Sequence, residues 1–282
     1  MQPELSERIE LARTNGKKVV CLLGDAFIES TILRGKPVPW TRPSEYVAHH
    51  SQMLSLLKPD ITVFDVQMFY RYWLEENFGV LAEMRGKQRI RFALKKLLSM
   101  DEPRALLREL IGALLSSVSQ PLLLLLPENN NFVNWANMRA NGGEPREVTD
   151  LDTDTVSVYF ADFLRTFSGF DLAGVMLQLP QRSDVGENVS ELYSPVLNVC
   201  KLYQWSVGAL ALAPNFFNDE QLPLDFWLSD DPRAPGCVLK ATVLEYDAAA
   251  PSSTLVFSAV PPDIDPASAI DQIGRWRDAA AA

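Results

Sequence analysis

Short, nearly continuous apolar runs recur along this chain and limit its fold more than any other feature. A strand that is covered on both faces has such a run, which is typical of parallel strands beneath helices. Eight runs have the length of a β-strand. They cover residues 19–24, 61–66, 121–126, 173–179, 205–213, 225–228, 237–245 and 254–260.

Segments with helical spacing of apolar residues separate most of these runs. Alternating strands and helices indicate βαβ units, and eight such units predict an α/β fold, a (β/α)8 TIM-type barrel. Asp265 is expected to cap the last helix, with Pro266 in its first position. The predicted helices cover residues 43–57, 102–118, 152–167, 187–203 and 266–276.

The sixth to eighth units depart from this regularity. Residues 216–236 are rich in Pro and Asp and lack periodicity, and residues 247–253 form too short a connection for a helix. We therefore expect an irregular barrel in this part. Because the chain contains no linker or repeat and barrels of this size are common, we predict one domain over residues 1–282.

Composition restricts the partners. The formal net charge is −10, which disfavours nucleic acid as a partner. Three widely spaced cysteines in apolar surroundings and the absence of a signal peptide or long apolar segment predict a cytoplasmic protein without membrane contact. We expect a small-molecule substrate, and the sequence leaves a homo-oligomer open.

Functional residues of a barrel lie at the carboxyl ends of its strands. The first run is followed by Asp25 and Glu29, which share a face if a helix begins there, and then by Arg34. Asp25 and Glu29 are candidates for an acid/base or substrate-binding pair, and helix capping by Asp25 with a solvated Glu29 is the alternative. The second run ends in Asp65, and strand alternation places Asp65 and Gln67 on the side of Ile61 and Val63.

A carboxylate in an apolar run needs a partner or a polar cavity, so Asp65 is either a catalytic group of raised pKa or a structural group bound by backbone donors. Further candidates for substrate binding follow the second, third and fourth strands. They are Tyr70, Arg71, Glu128, Asn129, Asn131, Arg139 and Gln178. The stretch from Glu128 to Asn131 suits either a polar ligand or plain capping of a helix.

Histidine chemistry has little support in the sequence. The two histidines, His49 and His50, are adjacent within a predicted helix, and His50 falls on its apolar stripe as a core residue would. No zinc-binding spacing, GxSxG, GxGxxG or P-loop occurs, so we expect no metal and no cofactor. The chemistry then rests on Asp, Glu, Arg, Lys and Tyr.

Two segments resemble the superfamily of uroporphyrinogen decarboxylase and cobalamin-independent methionine synthase. Residues 57–65 (LKPDITVFD) resemble the strand that brings the decarboxylase's essential aspartate to the barrel mouth, and residues 257–263 (FSAVPPD) resemble its closing strand. The arginine-rich N-terminal signature, the histidine of the closing strand and the His/Cys zinc set of the methyltransferases are missing. The resemblance implies a metal-free lyase or decarboxylase in which Asp65 is the polar anchor.

Three functions follow as hypotheses. The first is a cofactor-free lyase, favoured in the form of a decarboxylase of a small carboxylated substrate, in which Arg34, Arg71 or Arg139 holds the carboxylate. Asp65 then holds or protonates the reacting carbon, and Tyr70, Asn129 and Asn131 orient polar groups. The second is a non-catalytic barrel that binds a small molecule or a partner protein. The third is a hydrolase that uses the carboxylates of Asp25 and Glu29.

Overall fold

Each apolar run contains a β-strand, as predicted, and every strand pairing among the described residues is parallel. This computed structural model describes residues 5–86, 89–179, 189–210, 224–229, 236–239 and 253–278. The strands are β1 (Val19–Leu23), β2 (Ile61–Asp65), β3 (Leu122–Leu126), β4 (Gly174–Gln178), β5 (Ser206–Leu210), β6 (Phe226–Leu228), β7 (Gly236–Leu239) and β8 (Leu255–Ala259).

The strands form a nearly closed barrel in the order β6-β5-β4-β3-β2-β1-β8-β7. The first strand pairs with the last, because Val19–Leu23 of β1 pairs residue by residue with Leu255–Ala259 of β8. β6 and β7 lie at the two edges, and no ladder joins them in the described part of the chain. The structure is thus consistent with a TIM-like barrel. Most of the expected irregular connections, residues 211–223, 230–235 and 240–252, lie outside the described residues.

Helices lie between the strands. The helix predicted at 43–57 has the expected bounds, and those predicted at 102–118, 152–167 and 266–276 are present with ends shifted by a few residues. The single helix predicted at 187–203 is instead two helices, Val189–Leu192 and Ser194–Tyr203, and residues 187 and 188 lie outside the described residues. The described helices are α1 (Leu5–Thr14), α2 (Asp25–Phe27), α3 (Pro43–Leu57), α4 (Val66–Glu76), α5 (Leu81–Met84), α6 (Phe92–Ser99), α7 (Asp101–Ser117), α8 (Asn129–Asn141), α9 (Asp150–Leu164), α10 (Val189–Leu192), α11 (Ser194–Tyr203) and α12 (Pro266–Asp278). A π-helical turn, Ile28–Ile32, continues α2.

Side chains alternate between two apolar layers along the strands whose side chains the structure describes. Those of Cys21, Val63 and Met176 belong to the layer inside the barrel, whereas Leu22 and Phe64 pack with the surrounding helices. Leu5 of α1 is 2% exposed and joins the inner layer. This double burial is the physical reason that the strands have continuous apolar sequences.

Two local predictions have different outcomes. Asp265 caps α12 as expected, because its Oδ2 accepts a hydrogen bond from the Ser268 amide at 2.9 Å. The predicted alternation through Gln67 is wrong, since β2 ends at Asp65 and α4 begins at Val66. Among the described residues, no helix combines the length and apolar character needed to cross a bilayer.

Candidate functional site

A cavity of about 430 Å³ lies at the carboxyl ends of β1, β2 and β8. These strands are neighbours in the sheet, so their ends meet at one part of the barrel mouth. The wall is mainly apolar, and three carboxyl groups line it, those of Asp25 and Asp65 and the exposed one of Glu29. Its lining includes Leu23, Asp25, Glu29, Val38, Trp40, Asp65, Met68, Ala259 and Pro262.

Asp25 is the most deeply buried acid in this wall, at 7% exposure. Its Oδ1 accepts a hydrogen bond from the Tyr46 hydroxyl at 3.1 Å, while its Oδ2 is buried without a partner. Burial raises the pKa of Asp25 to about 7, the charge of Asp65 contributes in the same direction, and the Tyr46 bond opposes both. The capping alternative does not apply, because Gly24 is the N-cap of α2.

Asp65 ends β2 and caps α4 at the same time. Its Oδ1 accepts a hydrogen bond from the Met68 amide at 3.0 Å. Burial raises the pKa of Asp65, whereas the amides of Met68 and Gln67 and the charge of Arg71 lower it. Ile61 and Val63 of β2 belong to the inner layer. Because side chains alternate along a strand, Asp65 also faces the barrel interior. It is therefore both a structural cap and a wall of the cavity.

Glu29 also lines the cavity, from the π-helical turn, but it is exposed. Asp25 and Glu29 thus lie on one wall, as their spacing predicts. Arg34 is exposed, and its backbone has a left-handed conformation with φ 54°. It is not among the cavity-lining residues, although the adjacent Gly35 is.

The candidates on α4 lie elsewhere. With its amide oxygen facing Arg71, Gln67 accepts bonds from Arg71 Nη2 at 2.9 Å and Nε at 3.3 Å. The Arg71 guanidinium lies 5.6 Å from the Trp135 ring centre. Tyr70 is fully buried among Phe69, Phe132 and Phe163, so it is a core residue and does not reach the cavity. Its place on the buried face of an amphipathic helix is the reason.

The stretch after β3 performs capping. Glu128 accepts hydrogen bonds from the amides of Asn130 and Asn131 at 3.0 and 2.9 Å, and it is the N-cap of α8. Burial raises the pKa of Glu128, and these two amides oppose the change. The buried Asn129 amide group donates to the Thr153 carbonyl at 3.2 Å. Helix capping therefore engages Glu128, and a contact between α8 and α9 engages Asn129, two of the candidates for ligand binding.

The remaining candidates are also outside the cavity wall. Asn131 is exposed, and Arg139 lies on the outside of the barrel, 3.8 Å from the Glu75 carboxylate. Gln178 ends β4, two residues after the inner-layer Met176. In the described part of the chain, no arginine lines the cavity, so the predicted clamp for a substrate carboxylate is not assembled there.

Tyr46, Val38 and Trp40 are site residues that sequence reasoning did not assign. Tyr46 lies on the buried face of α3, where its apolar spacing gave no sign of a polar partner. Its ring stacks on His50 at 5.6 Å, and His50 Nε2 lies 2.8 Å from the Thr62 hydroxyl. Burial lowers the pKa of His50 to about 4. His50 is thus a neutral core residue, as predicted.

A second cavity, about 660 Å³, lies at the opposite end of the barrel and borders the starts of β3 and β5. It contains no pair of buried acids, so the smaller cavity at the strand ends is the candidate site. Among the residues that the structure describes, no three His, Cys, Asp or Glu side chains are grouped as metal ligands.

A scan of protein-family models, a search of curated proteins and a search of solved structures each found no match to this chain. Asp25 and Asp65 are the two acids of the cavity whose pKa values burial raises. One of them, Asp25, exchanges its proton near neutral pH in apolar surroundings, which is the property that general acid–base chemistry requires.

Proposed function

We propose that the chain is a proton-transfer enzyme of the lyase class, in which Asp25 is the general acid and Asp65 is a neighbouring carboxyl group. The observation that carries the proposal is the Asp25 carboxyl group, whose pKa is raised to about 7 beside an apolar cavity. A carboxyl group that is protonated near neutral pH donates a proton far more readily than a tyrosine or lysine of ordinary pKa. The substrate is small and largely apolar.

Decarboxylation is the specific reaction that we favour. The bond between the substrate carbon and its carboxylate breaks, carbon dioxide leaves, and the electron pair stays on carbon. Asp25 then gives its proton to that carbon, becomes a carboxylate that keeps the Tyr46 hydrogen bond, and is reprotonated from water. The negative charge passes from the substrate carboxylate to carbon as carbon dioxide leaves, and then to Asp25 as the proton is transferred. Apolar surroundings destabilise the localised charge of the substrate carboxylate, which favours the first of these steps.

The resemblance to the uroporphyrinogen decarboxylase superfamily remains part of this proposal. A carboxylate at the end of β2, facing the cavity, is compatible with the role that the resemblance implies for Asp65. Two of the three proposed carboxylate anchors have other contacts, since Arg71 binds Gln67 and Arg139 lies beside Glu75. We therefore limit the proposal to protonation of carbon, in which Asp25 donates the proton and Asp65 lies beside it, and we assign no role to the arginines.

The capping role of Asp65 favours a second candidate, a non-catalytic barrel that binds a small apolar ligand. In that case the only role of Asp65 is to cap α4, and the cavity binds the ligand without any reaction. Asparagine caps a helix about as well as aspartate. Asp65→Asn therefore preserves the structural role and removes the charge, which separates the two candidates.

The test is a panel of small aromatic and β-keto carboxylic acids incubated with the protein in deuterium oxide. Proton and deuterium NMR would detect carbon dioxide loss with deuterium at the vacated carbon. We expect turnover that decreases as pH rises through about 7, because Asp25 must carry a proton. Asp25→Asn and Asp65→Asn should each lower the rate at least about a hundredfold.

Asp271→Asn is the matched control, because Asp271 is an exposed acid on α12 and its loss changes the net charge equally. This variant should react as the unmodified protein does. Turnover that survives in Asp25→Asn would remove the general-acid role. Saturable binding of a panel member without any turnover, unchanged in Asp65→Asn, would instead support the binding candidate.

A further inference from the structure

A cleft of about 830 Å³ on the outer helical surface has a charge opposite to that of the whole chain. We call it the basic cleft. Among the described residues, four cationic side chains and no carboxylate line it, although the net charge of the chain is −10. It lies between α6, the segment before it, and α9, and its lining includes Arg89, Arg91, Phe92, Lys95, Lys96 and Tyr159.

Carboxylates compensate only part of this charge. Arg91 forms an ion pair with Asp152, and Lys96 lies 3.6 Å from the Glu83 carboxylate. Within the described residues, Arg89 and Lys95 make no ion pair with an acid; the Lys95 amine lies 5.7 Å from the Tyr159 ring centre instead. Cations that share a concave surface repel one another, and an anion bound among them would relieve that repulsion.

Arg91 is held in position before any ligand binds. Its partner Asp152 is 8% exposed and is itself fixed at the start of α9, where its Oδ2 accepts the Thr149 hydroxyl at 2.8 Å. The Arg91 side chain is 19% exposed, and its Nη1 donates to Asp152 Oδ1. A guanidinium has five N–H donors, so several remain for a phosphate or similar group.

Size and net charge indicate the kind of anion. A cleft of this volume matches a small organic molecule rather than a single inorganic ion. A nucleic acid would extend beyond the screening length of about 8 Å and meet the acidic remainder of the surface. We propose that the basic cleft binds a small, multiply charged anion that bears phosphate groups, at a site separate from the barrel mouth.

Titration calorimetry with inorganic pyrophosphate tests this site on the full chain, at low and at physiological salt. We expect saturable binding of one pyrophosphate per chain that weakens with salt. The double variant Arg89→Gln, Lys95→Gln should weaken binding about tenfold or more. Both side chains are exposed, so the variant should keep the melting temperature of the unmodified protein.

The matched control is Arg13→Gln, Lys17→Gln, which removes the same charge from exposed positions at and after α1. It should leave pyrophosphate binding unchanged. Absence of saturation at millimolar pyrophosphate, or an equal loss in both double variants, would overturn the proposal. A fluorescent DNA oligonucleotide whose affinity increases with its length would overturn the assignment to a small anion.

Discussion

The Asp25 carboxyl group is an example of how one residue acquires properties that its sequence neighbours do not specify. Burial, the charge of Asp65 and the Tyr46 hydroxyl act on it together, and burial dominates. Tyr46 lies 21 positions away along the chain. Sequence reasoning identified Asp25, Glu29 and Asp65 as candidates because they follow neighbouring strands. It did not find Tyr46, since an aromatic residue on an apolar helical stripe looks like any core residue.

The raised pKa of Asp25 predicts a specific dependence of stability on pH. Below about pH 4 the folded and unfolded chains both carry the proton. Between that pH and about 7 only the folded chain retains it, so the contribution of Asp25 to stability decreases as pH rises, and above about 7 the full penalty remains. Asp25→Asn removes this titration and should be relatively more stable at pH 8.

Urea unfolding of both proteins at pH 5 and pH 8 measures this effect. The difference in unfolding free energy between variant and unmodified protein should shift by about 3 kcal/mol in favour of the variant at the higher pH. Titrating groups that are not coupled to Asp25, such as Glu128, contribute equally to both proteins and cancel in the comparison. Parallel pH curves for the two proteins would show that Asp25 titrates normally.

At the scale of elements, strands were easier to predict than the helices that follow them. Every predicted run contains a strand, because burial on both faces leaves a continuous apolar sequence. Helix α4 was missed although Val66, Phe69 and Trp73 have helical spacing. The apolar run of β2 continues directly into α4 at Val66. Because an apolar residue suits both the end of the strand and the start of the helix, the sequence does not mark the boundary between them.

The contact between β5 and β6 gives a prediction at this scale. A Cβ on Gly208 would lie 1.9 Å from the Phe226 ring, a residue that belongs to the inner layer of the barrel. Gly208→Ala should therefore lower the free energy of unfolding by about 2 kcal/mol, within the usual range for overpacking. Thermal and urea denaturation measure the loss.

Gly274→Ala is the control for that variant, because the added Cβ meets no atom within 4 Å and Gly274 lies inside α12. It should be neutral or stabilise by up to about 1 kcal/mol. Adding Phe226→Ala to Gly208→Ala should cost less than the sum of the two single changes, since the truncated ring makes room for the methyl group. Strict additivity would contradict the proposed contact.

The whole molecule is held together by strands that are distant in sequence. β8 pairs with both β1 and β7, so residues near the two ends of the chain share one sheet. Phe257 of β8 is 4% exposed and packs in the inner layer. A change there should weaken the entire barrel at once, which is what the predicted single domain of residues 1–282 requires.

Phe257→Ala should lower the free energy of unfolding by about 3–4 kcal/mol. Tryptophan fluorescence and far-ultraviolet circular dichroism should report one transition and the same shift, because six tryptophans are distributed along the chain. Phe78→Ala is the control, since Phe78 is 62% exposed and its loss should cost less than about 1 kcal/mol. Two separate transitions would argue against a single domain.

The sequence by itself determined the parallel α/β architecture, the positions of the strands and the three acids at the barrel mouth. These features follow from simple rules: strands that are covered on both faces have continuous apolar sequences, and the carboxyl ends of neighbouring parallel strands lie together. Only the tertiary structure decided which polar groups face the cavity. In the structure Tyr46 donates a hydrogen bond to Asp25, Glu128 caps α8, and Arg71 binds the side chain of Gln67. Each outcome depends on the packing of helices, and that packing brings together residues whose spacing in the sequence has no period.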